Sequence, residues 1–151
     1  EYFYHLGWAY NKSGSRKEAL EPLTKATELD PNNAKYFNRL INAYYDLGDT
    51  CYNSGSYQEA IDLFTMAINL DPKNTKHLFH LGLVYIKLGS FKEALDLYFK
   101  TIDSSNDDEH IRSGNNNINN LINKPCPDSE KEKITINLII PLNKKLIKNI
   151  Q

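Results

Sequence analysis

Gly14-Ser15-Arg16-Lys17-Glu18-Ala19-Leu20 recurs twice along the chain, as Gly55-Ser56-Tyr57-Gln58-Glu59-Ala60-Ile61 and Gly89-Ser90-Phe91-Lys92-Glu93-Ala94-Leu95. Each copy reads as the end of one helix and the start of the next. The glycine can leave a helix in the left-handed conformation that other residues avoid. Ser-x-x-Glu is a capping box: the serine oxygen accepts from the third helical N–H, and the glutamate reaches back to the serine N–H. Three such junctions in register predict a row of helix–turn–helix units.

The flanks repeat as well. Leu6-Gly7-x-x-Tyr10, Leu47-Gly48-x-x-Cys51 and Leu81-Gly82-x-x-Tyr85 precede the junctions. Ala19-x-x-x-Leu23-x-x-Ala26, Ala60-x-x-x-Phe64-x-x-Ala67 and Ala94-x-x-x-Tyr98-x-x-Thr101 follow them. Gly7, Gly48, Gly82, Ala19, Ala60 and Ala94 are expected where paired helices cross closely, because a larger side chain would push the axes beyond about 8–10 Å. Tyr10, Leu23, Phe64, Tyr85 and Tyr98 are expected to fill the wider gaps. The first two copies close with Leu29-Asp30-Pro31 and Leu70-Asp71-Pro72.

This pattern resembles the tetratricopeptide repeat (TPR) family over residues 1–108. The third copy departs from it at Thr101 and at Ser104-Ser105-Asn106, where the family has a small alanine and a proline. The resemblance implies an all-α fold, an α-solenoid of antiparallel helix pairs with three TPR-like units at 1–33, 34–74 and 75–108. An Asn-rich linker or degenerate repeat is expected at 109–128. A C-terminal capping helix is expected at 129–151, where Ser129-Glu130-Lys131-Glu132 opens an apolar stretch that would cover the last pair. Alternation of Ile134, Ile136, Leu138 and Ile140 would also suit a strand.

The second unit is irregular: Ser15 to Ser56 spans 41 residues and Ser56 to Ser90 spans 34. Seven extra residues are two helical turns, which nearly preserve the facing of side chains. One long helix from Ala34 to Asn53, opened by Asn33, is therefore expected. Phe37, Leu40, Tyr44 and Gly48 also fit the first-helix pattern, so the alternative is a helix ending at Gly48 with Asp49–Ser54 inserted. Pro22 inside the second helix removes the bond to the Glu18 carbonyl and predicts a kink there.

Composition bounds the function. Of 151 residues 40% are hydrophobic and 25% charged, as in globular proteins. A net charge of -1, from 18 basic and 19 acidic residues, gives neither a general grip on nucleic acid nor a polybasic attraction to a membrane. The apolar run at Leu138-Ile139-Ile140 is far shorter than the ~20 residues of a membrane span. Two cysteines cannot make a disulfide framework. Glu1 is not an initiator methionine, so the chain reads as a fragment, with a cytoplasmic or nuclear setting as the default.

No catalytic constellation, phosphate loop or cofactor motif stands out. His77 and His80 lie three apart on one helix but lack a third metal ligand at matching spacing. They read, with His5 and His110, as surface or groove-lining histidines. Cys51 takes the place of Tyr10 and Tyr85 and reads as core.

In TPR arrays the first helices line a concave groove, and the resemblance implies the same here. The expected lining is Tyr4, Trp8, Asn11 and Lys12 in the first unit, and Asn38, Asn42, Tyr45, Asp49 and Tyr52 in the second. The third contributes Lys76, Phe79, Leu83, Ile86 and Lys87. Trp and Tyr are the anchor types that dominate binding hot spots. The alternative is that upstream repeats or the C-terminal helix already cover this face. A chaperone-type carboxylate clamp is not expected. Its places on the first helices hold Tyr4, Trp8, Asp46, Lys76 and His80, of which only Lys76 matches. The expected role is a non-enzymatic protein–protein interaction or scaffold module binding an apolar or helical peptide. The competing roles are a structural or self-associating segment of a longer superhelix, and the substrate-selecting region of a larger enzyme.

Overall fold

The computed structural model of the protein describes residues 1–104 and Asn116. The linker and capping helix expected at 109–128 and 129–151 lie outside the described residues. Residues 1–104 form six helices: α1 Tyr2–Lys12, α2 Arg16–Leu29, α3 Ala34–Ser54, α4 Tyr57–Leu70, α5 Thr75–Lys87 and α6 Phe91–Ser104. They pair as three antiparallel hairpins, and α2 packs on α3 as α4 packs on α5. Among the described residues there is no strand, and no helix is long and apolar enough to cross a membrane.

The junction glycines behave as their spacing predicts. Gly14, Gly55 and Gly89 have φ of +87°, +83° and +77°, which side chains rarely tolerate. Around Gly55, the Ser56 N–H donates to the Cys51 carbonyl at 2.9 Å and the Gly55 N–H to the Tyr52 carbonyl at 3.2 Å. Ser90 and Gly89 make the same two bonds to Tyr85 and Ile86, at 2.9 and 3.1 Å. This double bond closes a helix end and reverses the chain within three residues.

The serine half of the capping box does not form at the first two junctions: neither Ser15 nor Ser56 makes a side-chain cap bond. Both sit at ψ near 60°, not in the extended conformation that aims an N-cap oxygen at the first turn. The Gly14 and Gly55 carbonyls instead accept from the N–H groups of Arg16 and Tyr57, each at 2.9 Å. Asn74 does cap α5, accepting from the Lys76 N–H at 3.2 Å.

α3 is one continuous helix of 21 residues, so no insertion follows Gly48. α2 runs through Pro22 without interruption.

The close crossings follow the small residues. A Cβ on Gly7 would stand 2.5 Å from Leu23 Cγ, one on Gly48 3.0 Å from Phe64 Cε1, and one on Gly82 2.7 Å from Tyr98 Cε1. Ala19, Ala60 and Ala94 are fully buried, as are Leu23, Phe64 and Tyr98. Tyr10 departs from expectation at 38% exposed. Its counterparts Cys51 and Tyr85 sit on helices that pack against a preceding hairpin, and among the described residues α1 packs on none.

Candidate partner-binding groove

The first helices α1, α3 and α5 lie side by side, α3 touching both neighbours. Equivalent positions form columns across them: Tyr4, Tyr45 and Phe79; Trp8, Asp49 and Leu83; Asn11, Tyr52 and Ile86. Trp8, Lys12, Asn38, Asn42, Lys76 and Lys87 are exposed, while Asn11, Tyr45, Asp49, Tyr52, Phe79, Leu83 and Ile86 are half-buried. Trp8 is 41% exposed, with the Lys12 ammonium 5.9 Å from its ring centroid. Asn38 borders a rim cleft of about 520 Å³ with Phe37 and Ile41 of α3, Pro31 and Leu70.

Tyr4 does not line this face as expected. It is 5% exposed, stacked on Tyr36 at 5.1 Å between ring centroids, with the Lys35 ammonium 4.6 Å above its ring. It belongs to the joint between α1 and α3. The joint between α3 and α5 repeats it 41 residues on: Tyr45 lies 5.4 Å from the His77 ring, and the Lys76 ammonium sits 4.2 Å over it. In each joint a tyrosine is held by the second and third residues of the next first helix.

Tyr45 is further tied to α5, its hydroxyl 2.9 Å from His80 Nε2. His80 Nδ1 lies 2.9 Å from the Lys76 carbonyl, which can only accept, so Nδ1 carries the proton. In the neutral imidazole Nε2 is then the acceptor and the Tyr45 O–H the donor. Burial, then the charges of Asp49 and Asp46, push the Tyr45 pKa up to about 12 and keep that donor in place.

His77 is the residue the spacing placed wrongly. It is 2% exposed, and neither ring nitrogen has a hydrogen-bond partner among the described residues. Burial holds its pKa below the ordinary value, and burial lowers that of His80 too. A signal was present in the alignment at 41 residues, which lays His77 on Tyr36 and Lys76 on Lys35. Cys51 is core, as expected; burial and then the Glu59 carboxylate push its thiol pKa up, away from reactivity. Among the described residues no cluster of His, Cys, Asp and Glu could hold a metal ion.

Residues 34–101 match the family model for subunit 3 of the anaphase-promoting complex, cyclosome, itself a TPR-type family, and residues 1–33 match the tetratricopeptide repeat model. The chain belongs to the tetratricopeptide repeat family, whose modules mediate protein–protein interaction and are typically non-catalytic. Two solved structures share the fold. MamA AMB-1 is 22% identical, with a TM-score of 0.51 over 94% of this chain and 70% of that one. PcrH, solved in complex with the chaperone binding region of PopD, is 18% identical, with a TM-score of 0.50 over 79% and 87%. No curated protein matches the chain.

Proposed function

We propose that the groove of α1, α3 and α5 binds a protein segment that presents apolar side chains along a helix. The observation that carries this is Trp8, a hot-spot residue type left 41% exposed on the face that also holds Tyr52, Phe79, Leu83 and Ile86. Binding would bury a partner's apolar side chains against these rings, at about 25 cal/mol per Å² removed from water. Lys76, Lys87 and Asn42 would set the segment's direction through polar contacts at the rim.

Trp8 is the single tryptophan, so its fluorescence reports occupancy of the groove directly. Amphipathic helical peptides titrated into the full chain are expected to shift that emission. By calorimetry, Trp8→Ala and Phe79→Ala are each expected to weaken the bound peptide about tenfold or more. Unchanged affinity in both variants would overturn the assignment.

A second role, as a segment of a longer stack, is supported at the open edge of α1. Phe3, Leu6 and Tyr10 line a groove of about 890 Å³ with Leu20 and Thr24 of α2. Leu47 and Cys51 on α3, the counterparts of Leu6 and Tyr10, are buried in the interior. A further helix pair, from an upstream unit or a second copy, would complete that edge. Leu6→Lys tests it: the role requires this substitution to abolish any concentration-dependent association, and a chain monomeric at all concentrations excludes the second-copy form.

A further inference from the structure

Tyr36 and His77 occupy the same place in two successive joints, and of the two only His77 can take up a proton near neutral pH. Its 2% exposure and its two unpartnered ring nitrogens suit a neutral imidazole packed on Tyr45. A proton there would bury a charge with two N–H donors and no acceptor.

The charges around it are mixed. On its own helix Lys76 and His80 oppose protonation, and Asp71 in the turn before α5 favours it. α3 presents the Tyr45 ring, flanked by Asp46 and Asp49; α4 presents the Phe64 ring, packed against Tyr45 and His80. Burial is the largest influence and outweighs Asp71.

From this geometry we infer that the joint between the second and third hairpins is a proton-sensitive hinge of the groove, closed while His77 is neutral and opened when acid drives a proton onto its ring. The consequence for binding rests on the groove proposed above; the hinge itself does not. α3 carries Tyr45 and Tyr52 and α5 carries Phe79 and Leu83, so opening parts two walls of the groove. Solenoid units contact only their neighbours. The joint of Tyr4, Lys35 and Tyr36 holds a tyrosine in the place of His77, and the His5 ring 5.3 Å from Tyr4 is exposed, not buried as His77 is.

The sign follows from linkage. A histidine whose folded pKa lies below its unfolded value of 6.5 binds its proton first in the unfolded chain. Stability is then full above pH 6.5 and is lost as pH falls. While one imidazole stays neutral in the fold, the folding constant drops about tenfold per pH unit.

The test is urea unfolding of the full chain between about pH 7.5 and 5.5, comparing wild type with His77→Tyr, which copies the first joint, and with His77→Phe. Wild type is expected to lose up to about fivefold more of its folding constant than either variant between about pH 6.5 and 5.5. In wild type alone, the His77 imidazole resonance is expected to stay neutral as pH falls below the ordinary histidine value of 6.5, a readout that survives if the variants fail to fold. The same pH dependence in all three chains, or a His77 resonance titrating at or above 6.5, would overturn the hinge. Failure to find any peptide for the groove would sink the proposed function and leave these measurements standing. Peptide binding with no change in the pH profile would sink the hinge alone.

Discussion

The Tyr45 hydroxyl and His80 Nε2, 2.9 Å apart, bond α3 to α5. Tyr45→Phe removes that donor and leaves a half-buried acceptor unpaired. A loss of about 1–2 kcal/mol in unfolding free energy is expected, measured by urea unfolding at neutral pH.

Alkali probes the same residue. The folded pKa of Tyr45, about 12, lies above its ordinary 10.0. Its contribution is therefore fully present below pH 10 and is lost as pH rises toward 12. Tyr98 is raised as well, chiefly by burial, and adds to the same loss. Tyrosinate absorbance during alkaline titration is expected to show late-ionising groups, one fewer of them in Tyr45→Phe.

Two glycine-to-alanine changes separate space from backbone. In Gly82→Ala the new methyl would lie 2.7 Å from the ring of fully buried Tyr98, and about 1–3 kcal/mol of overpacking is expected. In Gly14→Ala the methyl meets nothing, but φ is +87°, so a cost of about 1–2 kcal/mol comes from the backbone alone. Adding Tyr98→Phe should leave the second penalty untouched and alter the first, because only Gly82 touches that ring.

Cys51, 7% exposed, is expected to resist thiol reagents in the native chain and to react once urea unfolds it. Rapid native labelling of Cys51 would contradict the packing of α3 on the first hairpin.

The hairpin plan was legible because its causes are local. A glycine that reverses the chain, and a glycine that admits a ring from the partner helix, show in their own neighbourhoods. Spacing fixes a side chain's bearing on its own helix, but burial depends on what another helix brings to it. Tyr4 has the bearing of a groove residue and is covered by Lys35 and Tyr36 from the next hairpin. His77 is hidden in the same way, and Tyr10 is bare because no other described helix covers the outer side of α1. The capping boxes at Ser15 and Ser56 failed for another reason. Their residue types suit the motif, but the tight glycine turn sets the backbone angle of the serine and so decides where its oxygen points.

α3 shows how such an array can vary. At 21 residues it is about 31 Å long, while α5 with 13 spans about 20 Å. A seven-residue step rotates everything beyond it by only about 20°. A unit can thus grow taller without turning its contacts away from either neighbour, whereas gaining three or four residues would swing every later ring off its seat. Rim height is therefore the dimension in which this scaffold can diverge while its joints stay engaged.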